Sequence, residues 1–92
     1  MDYVTLRKQA RVDFTKIIEY TENEWGFDQT AELVFIFETA FLSLVGSPKL
    51  GRKIIRENSR ALTLSKLPFV ILYQIKGREI IVRQIIHMRK RR

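Results

Sequence analysis

The chain has 92 residues, enough for one small domain. With 46% hydrophobic and 29% charged residues it reads as a folded globule rather than a disordered chain. It has no cysteine, which excludes disulfides and thiolate metal sites, and its single histidine excludes a His-cluster metal site. No apolar run is read as a membrane span and the N-terminus lacks a signal-peptide pattern, so a cytoplasmic location is expected.

The net charge of +7 is unevenly distributed. Residues 1–47 hold 4 Lys/Arg and 8 Asp/Glu, a net of −4, whereas residues 48–92 hold 13 Lys/Arg and 2 Asp/Glu, a net of +11. Such polarity fits either a solvated basic surface or a C-terminal half that faces a polyanion.

Tyr3-Val4-Thr5-Leu6 is β-branched and aromatic and reads as a short strand. From Lys8 the period changes. Ala10, Phe14, Ile17, Ile18, Thr21 and Trp25 fall on one helix face, and Gly26 is a stop signal. A second helix is expected from an N-cap near Asp28 to about Val45, ended by Gly46-Ser47-Pro48. It is apolar nearly all round, with Ala31, Val34, Phe35, Phe41, Leu42 and Val45 on one face. Leu33, Phe37, Ala40 and Leu44 form another face. Either the domain's own sheet and first helix cover both, or a partner chain or second copy covers the Leu33/Phe37/Leu44 stripe.

Pro48 to Asn58 reads as a loop carrying Lys49, Arg52, Lys53 and Arg56. Three strands are expected after it, over Arg60–Ser65, Phe69–Lys76 and Glu79–Met88, the last two joined by a tight turn at Gly77-Arg78. The order β-α-α-β-β-β predicts one α+β domain over residues 1–92. An N-terminal strand and a helical hairpin precede a three-stranded antiparallel sheet.

Strict alternation along the last strand points Ile80, Val82, Ile86 and Met88 to the core. Arg83, His87 and Arg89 then line up on the other face, about 13 Å and 6.6 Å apart in turn. Such a row can hold a phosphodiester, with Arg pairing to phosphate and His moving a proton. It can equally be a solvent face. Residues 89–92 read as a basic tail, either solubilising or contacting nucleic acid. No paired-carboxylate, Ser-His-Asp, phosphate-loop or zinc-ligand pattern accompanies the row.

Four segments in order resemble the RelE/ParE superfamily of type II toxin–antitoxin toxins. They are Ala10-x-x-Asp13-Phe14-x-x-Ile17-x-x-Tyr20 running into Thr21-x-x-x-Trp25-Gly26, then Pro48-x-Leu50-Gly51-Arg52, Phe69-Val70-Ile71-Leu72-Tyr73 and Ile85-Ile86-His87-x-Arg89. The Trp-Gly, Gly-Arg and His-x-Arg steps look more like the ParE branch. The resemblance implies a small α+β fold, a cognate antitoxin partner, no cofactor and no metal. ParE-like members inhibit DNA gyrase and replication; RelE-like members cut mRNA on the ribosome. By strand position, Arg60, Arg83 and His87 would be catalytic if the chain is a ribonuclease. Lys49, Arg52, Lys53, Arg56, Arg89, Lys90, Arg91 and Arg92 would contact the target or nucleic acid. Leu33, Phe37 and Leu44 would bind the antitoxin or a second copy, and Phe37→Asp is expected to weaken antitoxin binding. A third reading is a binding module of the same family without toxicity.

Overall fold

A computed structural model describes residues 3–88, apart from the side chain of Arg56. The element order is β1 (Tyr3–Leu6), α1 (Lys8–Trp25), α2 (Phe27–Gly46), β2 (Arg52–Ile54), β3 (Ser59–Thr63), β4 (Phe69–Lys76) and β5 (Glu79–His87). The α+β class and the helical hairpin are as expected. The sheet is not three-stranded and antiparallel: it has five strands in the order β1-β5-β4-β3-β2 and is mixed. β1 pairs with β5 in parallel, Tyr3 opposite Glu79 through Leu6 opposite Val82. β2 lies within the stretch read as a loop. Its three residues pair antiparallel with β3 and it forms one edge of the sheet. A strand this short and cationic shows no alternation for a sequence reading to detect, and short, charged strands are what exposed edges tolerate.

Helix α1 ends where Gly26 turns to φ 87°, a conformation in which a Cβ would be strained. The same glycine begins α2, so Asp28 is not the N-cap but sits in the first turn, where its negative charge suits the helix N-terminus. Helix α2 is 20 residues long with a mean hydropathy of 1.3, so this run does have the length and composition of a membrane span. Here it is the core helix. Thr30, Leu33, Phe37, Ala40 and Leu44 are buried.

The core lies between the hairpin and one face of the sheet. Phe37 is fully buried, with ring centroids 5.0 Å from Phe14 of α1 and 5.7 Å from Phe69 of β4. Leu33, Phe37 and Leu44, read as covered either by the domain itself or by an antitoxin or second copy, pack the domain's own core. The sheet and α1 cover this stripe, and Phe37→Asp would bury an uncompensated charge rather than probe an interface. The face left to water is the other one. Phe27, Phe35 and Leu42 are 75, 67 and 72% exposed.

Strand β4 sends Phe69, Ile71 and Tyr73 into the core, while Ile75 near its end is exposed, and Gly77-Arg78 makes the two-residue turn between Lys76 and Glu79. Strand β5 does not alternate throughout. Leu72 pairs with Gln84 and Tyr73 with Val82, so Arg83 is an extra residue, a β-bulge. Beyond it the facing inverts. Ile80, Val82 and then Ile85 enter the core, while Ile86 is only half-buried and Met88 is exposed.

Past the bulge β5 outruns β1, which ends opposite Val82. The Asp13 carboxylate of α1 accepts the Ile85 N–H at 2.9 Å there. Gln9 Nε2 donates to its other oxygen at 2.8 Å. Asp13→Ala is expected to lose about 1.5–3 kcal/mol, read as a lower urea midpoint. An unchanged midpoint would show that water satisfies Ile85 equally well.

Candidate functional site

The three residues expected to form a ribonuclease centre do not meet. Cross-strand partners share a face of the sheet. Arg60 lies opposite Tyr73 and His87 opposite Phe69, so both sit on the helix-covered face. Their partners are four residues apart on β4, about 13 Å at 3.3 Å per residue. The Arg60 guanidinium is used locally, donating to the Gly51 carbonyl at 2.8 Å and the Lys49 carbonyl at 3.3 Å. The His87 ring packs edge-on to Phe69 with centroids 4.9 Å apart. Arg83, at the bulge, donates to Ser59 Oγ at 2.8 Å and lies 3.6 Å from the Glu57 carboxylate. Ser59 precedes Arg60 in β3 and so faces the opposite side of the sheet. The expected Arg83–His87 row is thus broken by the bulge between them. Arg89, its third member, lies with residues 90–92 outside the described residues.

Arg60 belongs to a clamp that the sequence did not reveal. The Tyr73 ring is fully buried. Its hydroxyl donates to the Pro48 carbonyl at 2.7 Å and accepts the Gly51 N–H at 2.8 Å. Burial raises the hydroxyl's pKa above its ordinary value of 10.0, against the opposing pull of the Gly51 donor and the nearby Arg60 charge. The clamp fixes where the chain leaves α2, and with it the exposed Lys49, Arg52 and Lys53. Arg52 pairs with Ala61 and Lys53 with Arg60, so these cations project to opposite faces of the β2 edge. Of the basic half, Lys49, Arg52 and Lys53 gather at this sheet edge, while Arg83 hydrogen-bonds Ser59 on the face opposite the helices.

A groove of about 1020 Å³ opens at the other end of the sheet. Ile17, Tyr20, Leu33, Ile36, Leu67 and Phe69 line its apolar floor and walls, with Lys16, Lys66, Glu32 and His87 among its polar groups. Trp25, expected on the buried face of α1, is 67% exposed and lines the groove together with Tyr20, which is 63% exposed. The sequence signal was its position immediately before the helix-stopping Gly26, beyond the last turn that can pack on the sheet. Large half-open aromatics are the usual anchors of protein interfaces.

These features define a small two-layer α+β domain with an apolar groove and a cationic sheet edge. The family model described as "ParE toxin of type II toxin-antitoxin system, parDE" matches residues 4–92. The chain therefore belongs to the ParE toxin family. Among solved structures it is similar to one described as "Chromosomal ParDE TA system from P. aeruginosa". The TM-score is 0.80 at 24% identity, covering 95% of this chain and 96% of that one. No curated protein matches.

Proposed function

We propose that this toxin inhibits DNA gyrase by binding it, without chemistry of its own. The observation that carries the reading is the fate of the three candidate catalytic side chains. Arg60 is committed to two loop carbonyls, His87 is packed on Phe69 about 13 Å further along β4, and Arg83 is tied to Ser59 on the other face. General acid–base catalysis needs its groups within hydrogen-bond reach of one reacting centre. Arg52 and Lys53 of β2, with the exposed Lys49 beside them, offer long-range attraction to a DNA-bound target. Arg89, Lys90, Arg91 and Arg92 add cations at the C-terminus, and Arg56 adds one before β3.

A paired assay tests this. Supercoiling by purified gyrase is expected to fall on adding the toxin, while transcripts in expressing cells stay intact. Normal supercoiling together with mRNA cut on ribosomes would overturn it in favour of an interferase.

As a type II toxin the chain has a cognate antitoxin, and the groove beside Trp25 is the surface we assign to it. A segment with apolar residues would fill the floor, and acidic residues would meet Lys16 and Lys66. Trp25→Ala is expected to weaken the complex by about 2 kcal/mol or more, mainly through faster dissociation. Biosensor off-rates of the folded variant check this, and an unchanged off-rate removes Trp25 from the interface.

A further inference from the structure

Helix α2 has a solvent-facing stripe that neither the core nor the groove uses. The groove takes Gln29, Glu32, Leu33 and Ile36 from this helix. Phe27, Ala31, Phe35, Glu38 and Leu42 recur at intervals of three or four residues on the side away from the core. All five are exposed. The charged residues of α2 are Asp28, Glu32 and Glu38, so its whole surface is acidic.

Immediately past the helix the character reverses. An apolar hollow is lined by Ser47, Pro48, Lys49, Leu50 and Ile75. Leu50 is 53% exposed, and Ile55 further along is 85% exposed. The charges beside them are Lys49, Arg52 and Lys53. Between stripe and hollow stands Gly46, exposed and with nothing within 4 Å of where a Cβ would be. A helix can be approached closely at such a point.

We propose that this surface joins two copies of the chain about a two-fold axis passing near Gly46. Apolar-acidic and apolar-basic patches that lie side by side on one molecule are what a self-complementary interface requires. Antiparallel α2 helices seat Leu42 of each copy in the hollow of the other and bring Glu38 toward the other copy's Lys49 and Arg52. An acidic antitoxin segment would instead meet like charge at Asp28 and Glu38. Phe35, Leu42, Leu50 and Ile55 are 67, 72, 53 and 85% exposed, and with the flanking Glu38, Lys49 and Arg52 from each copy they supply area on the scale of the roughly 1,200 Å² total of a specific interface. The dimer draws on Lys49 and Arg52, which the gyrase reading also uses, so dimer and target compete for that edge, while the Trp25 groove stays open.

Sedimentation equilibrium of the purified 92-residue chain tests it, up to about 200 µM and at about 50 and 500 mM salt. A reversible dimer that loosens with salt is expected. Leu42→Glu is expected to leave a monomer with an unchanged circular dichroism spectrum, since the residue is 72% exposed. Glu38→Lys is expected to weaken association roughly tenfold, and adding Lys49→Glu to restore most of it. A wild-type chain that stays monomeric would overturn the proposal. So would a dimer indifferent to Leu42→Glu, or a double exchange no better than Glu38→Lys alone. Loss of antitoxin affinity in a monomeric chain carrying Leu42→Glu would assign the stripe to the antitoxin instead.

Discussion

Phe37→Ala is expected to lower the free energy of unfolding by about 3–5 kcal/mol, the cost of removing a buried aromatic side chain and leaving a cavity. The ring has no exposed surface and its neighbours come from three elements. Phe14 of α1 is 5.0 Å away, Phe69 of β4 is 5.7 Å away, and Phe41 one turn along α2 is 6.2 Å away. No single one of them can collapse into the space without moving its own element. Small domains have only about 5–15 kcal/mol in total, so the variant should unfold at a much lower urea concentration with a similar slope. Phe35→Ala is the matched control. It lies two residues away on the same helix but is 67% exposed, and its change should stay within about 0.5 kcal/mol. Equal effects of the two substitutions would mean that α2 is rotated from the orientation described.

Gly51→Ala is expected to cost roughly 2–4 kcal/mol, from overpacking and from loss of a buried hydrogen bond. A Cβ there would meet Tyr73 Cε1 and Oη at 2.8 Å and the backbone carbon of Ala61 at 3.0 Å. Neither neighbour can yield easily, because the Tyr73 ring is fully buried and Ala61 is paired on both sides, with Arg52 and Leu72. Any movement of Gly51 pulls its N–H from Tyr73 and its carbonyl from Arg60. A lower melting temperature checks this, and a neutral result would show that the clamp is loose. The same clamp gives an alkaline signature. Tyr73 is neutral in the fold and its pKa is raised. Its contribution is therefore whole below about pH 10 and is lost as pH rises through the higher folded value, because the unfolded chain releases the proton first. Tyr73→Phe, already lacking the two bonds, should be less stable at neutral pH and should lose that part of the alkaline slope.

The helical hairpin and the β4–β5 hairpin were legible because their signals are local. Gly26 stops a helix by its own backbone freedom, and Gly77-Arg78 between two alternating runs makes a tight turn. Which face of α2 goes inward was not local. Both of its apolar faces satisfy the same period, and only contact with Phe14 and Phe69 selects the Leu33/Phe37/Leu44 side. Strand β2 was missed for a related reason. Arg52-Lys53-Ile54 has no pattern of its own and becomes a strand by pairing with β3.

The candidate site shows the same division. Arg60, Arg83 and His87 were found as residue types on the expected strands, and the motifs around them pointed to the family. Their separation was not visible, since one extra residue at Arg83 reverses every side chain after it. By itself the sequence determined the α+β class, the helix boundaries within a residue or two, the split of charge and the toxin family. These depend on composition, short-range periodicity and local backbone preference. The tertiary structure decided which α2 face is core, that Trp25 borders an open groove, and that Arg60 holds a loop rather than a substrate. Each of those depends on groups far apart in the chain, such as Tyr73 with Gly51 and Asp13 with Ile85, whose meeting no local pattern encodes.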